Sequence, residues 1–416
     1  MDRIQSIKGM LDVWEYDKND IADVVDILVN IFKSHNLNQI NTPILEKTEL
    51  FIRSVGNVSD IVNKEIYSFD DKNGVNLSLR PEGTAGVVRS IIEKKSEDQK
   101  HKLWYVGPMF RYERPQKGRF RQFNQAGVEI LNCEENFSDM EIISIIVDIF
   151  KQFNLVESEL KINHLGNKEV KDQFCSALLN HMSEYPGALS ETDKKRLDSN
   201  PLRLLDSKDK ELGDFLSDGP VLNDFLEEEH KHTLNKIKDF FGKSIKINID
   251  NSLVRGLDYY TGLVFEATSK DLGSQDSFLA GGRYDNLFSD LGGKETNAIG
   301  LAIGLERLRL IAKRDLVRKS PMVTFVTTSG KMQAFAFEVA EELREINRTV
   351  RLSLDFSDSR SLKSKMRKAN KQNSKYILIM GDEEFSQQKI LVKSLTDDKK
   401  EELMNKDELK KFYQKI

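Results

Sequence analysis

The chain has 416 residues, 39% of them hydrophobic and 31% charged, with a formal net charge of −4. That length favours two or three domains over a single core, and no apolar run approaches a bilayer crossing. Two cysteines, Cys133 and Cys175, give neither a disulfide framework nor C-x-x-C spacing, and the six histidines show no ligand spacing, so no protein-held metal is expected.

The first residues, "MDRIQSIKGM", lack the apolar h-region of a signal peptide, so a cytoplasmic location is expected. Residues 18–34 carry Ile21, Val24, Val25, Leu28, Ile31 and Phe32 on one helical face. An extended piece follows around Pro43, which biases its predecessor away from helix. In "SLRPEGTAGVVRSII" (78–92), Thr84 reads as an N-cap, with Glu82 favoured by the helix dipole.

"LWYVGPMFRYE" (103–113) and "FRQFNQAGVEI" (120–130) read as an antiparallel hairpin across a polar turn. Alternation puts Arg121, Phe123, Gln125, Gly127 and Glu129 on one face, and Asn124, Ala126, Val128 and Ile130 on the other. Arg111 points at the first face from the neighbouring strand. A solvated face gives Phe123 no role, and Gly127 marks close approach by a ligand or another backbone.

Residues 139–153 read as a helix, and 168–243 as a charged helical insertion. Strand character resumes at "SIKINID" (244–250) and "GLVFEAT" (262–268), followed by the glycine-rich "AGGRYDNL" and by "NAIGLAIGLERLRLIAKR", a strand turning into a helix. Close helix–sheet packing accounts for Gly300 and Gly304. After Pro321, strands and helices alternate as in a small α/β domain. Residues 321–416 carry a net +4 against −8 for residues 1–320, and 360–375 holds seven Lys or Arg and no acid. That run is either a solvated helix face or a phosphate-backbone surface.

Neither G-x-x-x-x-G-K-[ST] nor G-x-G-x-x-G after a strand occurs, so any phosphate must be held by side chains. Arg111, Arg121, Arg255 and Arg307 are the candidates, because a guanidinium is planar, bidentate and always charged.

Together these segments resemble the class II aminoacyl-tRNA synthetases, and within them the bacterial-type histidyl-tRNA synthetases. "MFRYERPQKGRFRQFNQAGVE" is similar to the family's motif 2, "AIGLERL" to motif 3, and the region around Pro43 to motif 1. "RGLDYYTG" and "AGGRYDNL" resemble its two histidine signatures. The resemblance runs from about residue 4 to the C-terminus. It departs at Lys8, where arginine is frequent, and in a missing proline downstream.

The resemblance implies an α+β fold: an antiparallel sheet flanked by helices, in two parts (1–167 and 244–320), with the insertion at 168–243 and an anticodon-binding α/β domain at 321–416. It implies a homodimer with motif 1 at the interface. It implies ATP-dependent conversion of L-histidine to histidyl-adenylate, then transfer to the 3′ end of tRNA(His) with release of AMP and diphosphate. ATP is expected with Mg2+, and no membrane is involved.

Residue by residue, Arg111 and Arg255 would stabilise the α-phosphate. Glu129 and Tyr260, with Tyr259, would read the imidazole. Glu82, Gly83, Thr84 and Gln125 would hold the ammonium and carboxylate end. Phe123 would stack on adenine and Arg307 would hold the γ-phosphate. Arg121 would serve ATP and, with Gln116, the tRNA acceptor end. Lys363, Arg367 and Lys371 would meet the anticodon-stem side. The bland reading of Arg255 is a loop brace paired with a carboxylate such as Asp258.

Three other readings compete. A catalytically inactive paralogue serves as a regulatory subunit of ATP phosphoribosyltransferase, but it lacks the C-terminal domain. A synthetase for another amino acid would strand Glu129 and the tyrosine pair. A plain nucleic-acid-binding module accounts only for 360–375.

Overall fold

The computed structural model describes residues 3–14, 20–55, 61–116, 118–207, 209–257, 259–273, 276–313, 322–357, 360–396 and 401–416. The chain divides into two compact units, 1–316 and 317–416.

In the first unit the strands are β1 (Asn38–Gln39), β2 (Leu45–Lys47), β3 (Tyr67–Asp70), β4 (Asn76–Leu79), β5 (His101–Phe110), β6 (Gln122–Leu131), β7 (Ser158–His164), β8 (Ile247–Ile249), β9 (Thr261–Ser269), β10 (Ser277–Arg283) and β11 (Ala298–Gly304). Eight of them form one sheet in the order β1-β5-β6-β11-β10-β9-β7-β8. All pairings are antiparallel except β1 with β5 and β7 with β8, the two edge pairs. A separate three-stranded sheet runs β2-β4-β3.

The helices are α1 (Ala22–Ser34), α2 (Thr48–Val55), α3 (Thr84–Glu93), α4 (Glu135–Gln152), α5 (Lys168–Met182), α6 (Glu191–Ser199), α7 (Lys210–Ser217), α8 (Glu228–Phe241), α9 (Leu287–Asp290) and α10 (Leu305–Ile311). The apolar stripes of α1, α4 and α8 close over Ala126, Val128, Ile130, Leu301 and Ile303 in one continuous core. The opposite face of the sheet carries a smaller cluster, in which α3 and α9 meet Leu103, Tyr105, Leu131 and Tyr284. Period-2 alternation along β6 thus sends Ala126, Val128 and Ile130 to one layer and Phe123, Gln125, Glu129 and Leu131 to the other.

Residues 168–243 are helical, leaving from β7 and returning into β8. The strand β10 embraces "SFLAGGR", which its glycines conceal in the sequence.

The second unit holds β12 (Met322–Thr327), β13 (Arg351–Asp355), β14 (Tyr376–Met380), β15 (Lys389–Ser394) and β16 (Glu401–Asn405), in the order β13-β12-β14-β15-β16. Its helices are α11 (Gln333–Ile346), α12 (Leu362–Lys371), α13 (Asp382–Ser386) and α14 (Lys406–Tyr413). The sequence pattern did not announce β16: "EELMN" is helix-favouring, and pairing with β15 overrides it. On α12, Lys365 and Ala369 face inward, with Lys365 Nζ donating to the Thr327 carbonyl at 2.7 Å. Lys363, Arg367 and Lys371 are exposed, one helical turn apart.

Candidate active site

A cavity of about 500 Å³ opens on the α3 side of the large sheet. The β5–β6 hairpin builds its floor, with Phe110 opposite Gln122 and Tyr105 opposite Gly127. Phe123 and Gln125 line it, as the alternation predicted, while Asn124 points to the other side and binds Glu306.

Glu129 is completely buried at the bottom of this face. Three hydroxyls donate to its carboxylate: Thr84 at 2.8 Å, Tyr105 at 3.2 Å and Tyr284 at 2.5 Å. Burial pushes the acid from its ordinary 4.5 up to about 8, the hydroxyls pull it back, and nearby Glu82 raises it further. The sequence pattern missed Tyr105 and Tyr284, since one sits in an apolar strand and the other inside a glycine-rich signature.

Two sequence expectations about glycine change here. Gly127 is bare because of Tyr105, not because of a ligand or another backbone: a Cβ there would lie 2.1 Å from the tyrosine ring. A Cβ at Gly83 would lie 2.3 Å from the same ring, so the two glycines clasp it. Gly300 is required by Glu129, whose Oε2 would be 1.8 Å from an added Cβ, rather than by helix packing.

The turn into α3 also differs from expectation. Gly83, not Thr84, is the N-cap residue, and it offers no side chain. Glu82 does the capping, accepting from the amides of Thr84 at 2.5 Å and Ala85 at 2.9 Å. Burial raises the Glu82 carboxyl, against those amides and the Arg111 charge. Arg80 binds the Thr42 and Pro108 carbonyls at 2.9 and 3.0 Å, which fixes this turn to the neighbouring chain.

Arg111 leaves the end of β5 and donates to the Pro81 carbonyl at 2.9 Å, with its guanidinium 5.5 Å from the centre of the Phe123 ring. Arg255 lies on the same cavity and donates to Glu266 Oε1, on β9, at 2.9 Å. Burial opposes the Arg255 charge, but Glu266 and the two adjacent tyrosines raise its pKa above the ordinary value. The carboxylate bracing Arg255 is therefore Glu266; Asp258 lies outside the described residues. Tyr259 and Tyr260 both line the cavity, their ring centres 4.7 Å apart, and Tyr259 meets Tyr284 edge-on at 5.8 Å.

Arg307 reaches the cavity from α10, where burial and the charge of Arg119 lower its pKa. Arg119 pairs with Glu113 at 2.9 Å, and both line the wall. Asp206, Asp276 and Glu306 also line the cavity, acids that the sequence did not signal. Among the described residues, no three His, Cys, Asp or Glu side chains converge as a metal cage.

Glu82, Thr84, Arg111, Phe123, Gln125, Arg255, Tyr259, Tyr260 and Arg307 all reach one cavity, with Glu129 directly beneath. Gly83 packs on Tyr105 instead of lining the cavity, and the two candidates of the hairpin tip lie off it as well. The Arg121 guanidinium stacks on Tyr112 at 3.8 Å, off the cavity wall, and Gln116 is exposed at the hairpin tip, bridged to Arg119. Gln125 Oε1 is buried with no hydrogen-bond partner among the described residues.

Comparisons with known proteins agree in direction. A family model described as histidyl-tRNA synthetase matches residues 9–308, and one described as an anticodon binding domain matches 322–416. The chain is similar to the histidine–tRNA ligase of Prochlorococcus marinus, 42% identical over 97% of this chain and 95% of the relative. It is 39% identical to that of Francisella philomiragia over the full length of both. Its fold superimposes on the crystal structure of apo histidyl-tRNA synthetase from S. aureus with a TM-score of 0.81, at 30% identity, covering 99% of this chain and all of that one. A cavity lined by Arg111 and Arg255 above a buried Glu129, a family model over most of the chain, and full-length relatives agree that this chain belongs to the histidyl-tRNA synthetase family.

Proposed function

We infer that the chain is a histidine–tRNA ligase that activates L-histidine with ATP and transfers it to tRNA(His). The observation carrying this reading is Glu129, a fully buried acid bonded to Thr84 and Tyr284, which line a cavity together with two arginines and a tyrosine pair. A neutral imidazole has one donor and one acceptor nitrogen. Glu129 accepts from the N–H, and the Tyr260 hydroxyl donates to the other nitrogen. An amino acid lacking either group leaves a buried polar atom unpaired.

Gln125, Thr84 and Glu82 hold the ammonium and carboxylate end, and Gly83 lets the chain approach. In the first step a histidine carboxylate oxygen attacks the α-phosphorus of ATP and diphosphate leaves. Arg111 and Arg255 neutralise the charge that develops there, so positioning and fixed cations carry the catalysis. Phe123 stacks on adenine, and Arg307 holds the far phosphates. In the second step a terminal ribose hydroxyl of the tRNA attacks the histidyl carbonyl and AMP leaves.

Mg2+ arrives with the ATP phosphates, which suits an ion that keeps several waters and needs only one or two carboxylates. Gln116 and Arg121, near the hairpin tip, meet the acceptor end of the tRNA.

Catalysis is assigned to residues 1–167 and 244–320, and anticodon binding to 321–416; the helical character of 168–243 supports its standing as an insertion. A homodimer is supported by the exposed Ile44, Leu45 and Phe69 beside the three-stranded sheet, which a second copy would cover. No helix among the described residues is long and apolar enough to cross a membrane. The enzyme is assigned to the cytoplasm, where its tRNA substrate is.

ATP–diphosphate exchange with each of the twenty amino acids in turn tests the reading. Histidine alone is expected to drive it; comparable exchange with any other amino acid defeats the assignment.

The exposed face of α12 supplies a second test. Neutralising Lys363, Arg367 and Lys371 together should weaken tRNA binding. Each lost phosphate contact should also flatten the log–log salt dependence by roughly 0.7–0.9. Exchange measured without tRNA should stay as it was. An unchanged salt slope would make this face merely solvated.

A further inference from the structure

Lys171 stands on α5, in the helical insertion, yet its ammonium donates to the main-chain carbonyl of Tyr260 at 2.6 Å. The connection from β8 to β9 carries Arg255 and both tyrosines, and its described residues 250–257 and 259–260 belong to no helix or strand. Its near end is fixed by the Asn163 side chain, which donates to the carbonyls of Asn251 at 3.3 Å and Leu253 at 3.0 Å. Its far end is fixed by Lys171. At the near end the Leu253 amide also donates to the Asp250 carbonyl at 3.0 Å.

The same insertion backs the segment directly. Asn200, Leu202, Arg203 and Lys171 enclose a void of about 30 Å³ against Arg255 and Tyr260, room for about one water. Asp206, at the end of the same stretch, reaches the main cavity itself.

We propose that Lys171 is a positioning residue for histidine selection, its ammonium fixing the Tyr260 peptide and thereby the ring that faces the imidazole. The proposal rests on the reading of this cavity as the histidine-activating site. Holding a carbonyl sets the peptide plane beside the Cα, and the Cα–Cβ direction follows from it. A charge-assisted bond in a half-buried setting is stronger than a neutral one, so it can hold an irregular segment in place. The insertion thereby takes part in activation without touching a reacting atom.

The experiment uses the full chain with Lys171→Met, which keeps the length and removes the charge, and Lys171→Arg, which restores a donor. In diphosphate exchange, Lys171→Met should raise KM for histidine roughly tenfold while kcat changes less than about threefold and KM for ATP stays within about twofold. Lys171→Arg should recover most of the loss. Hydrogen exchange of the 253–260 amides should quicken in Lys171→Met and remain slow in Lys171→Arg.

An unchanged KM for histidine overturns the proposal. So does an equal rise in both KM values with a lower melting temperature, which would make Lys171 only structural. If the unaltered protein shows no histidine-dependent exchange, the histidine-activating reading fails. Hydrogen exchange still decides whether Lys171 anchors the segment: equal amide rates in Lys171→Met and the unaltered protein would overturn that too.

Discussion

Replacing Arg255 with alanine is expected nearly to abolish histidyl-adenylate formation while leaving tRNA affinity close to normal. If Arg255 acts only as charge develops at the α-phosphate, its loss falls on kcat rather than KM. Removing one such preorganised donor costs on the order of 10²–10³ in rate. Transfer from preformed histidyl-adenylate should suffer much less.

The opposing account is mechanical. Arg255 and Glu266 form an ion pair at 2.9 Å, both side chains only about a fifth exposed, and breaking it could simply loosen β9. That account predicts equal losses in both steps with a lowered melting temperature. Single-turnover measurement of each step, beside a melting curve, separates the two. Glu266→Gln sharpens the test, since it breaks the pair and keeps the cation. Arg255→His should restore a weak, pH-dependent fraction of the first step.

Glu129→Ala has the second large effect. Three hydroxyls and, in the proposed complex, one imidazole N–H share that acceptor. Stranding them should cost about 3 kcal/mol or more, roughly a hundredfold in kcat/KM for histidine. ATP affinity should be nearly unchanged, and an equal loss for ATP would remove Glu129 from imidazole reading.

Glu129→Gln isolates the charge through pH. The acid moves from 4.5 up to about 8 on folding, so between those values the folded chain holds a proton that the unfolded chain has released. Its contribution to stability is complete below 4.5 and is lost as pH rises through about 8. Thermal melts across that window should decline less steeply in Glu129→Gln. A parallel decline in both proteins would assign the pH dependence to other groups.

The hairpin face was legible because strand alternation is geometric: once β6 is a strand, Phe123, Gln125 and Glu129 must share a side. The cavity's far walls were legible only through resemblance, since β9, β10 and β11 bring residues more than a hundred positions distant to that face. The glycines show where local reading fails. Gly127 and Gly300 each appear in the sequence as an absence, and nothing nearby in the chain says that Tyr105 and Glu129 fill it. Glu82 fails differently. Its helix-start pattern was visible, but which residue caps was decided by the turn geometry, with Gly83 at the cap position and a carboxylate folded back on the next two amides.

The clasp of Gly83 and Gly127 on Tyr105 has a consequence for descent. Alanine at either position would meet the ring, so neither glycine is easily replaced while the buried tyrosine holds its place. Trimming the tyrosine first removes one of Glu129's hydroxyl donors, a loss that falls directly on the amino-acid pocket. The three positions are therefore coupled: a change at either glycine calls for the ring at 105 to shift or shrink, at a cost to the pocket. Three sites far apart in the gene thus behave under mutation as one hereditary unit.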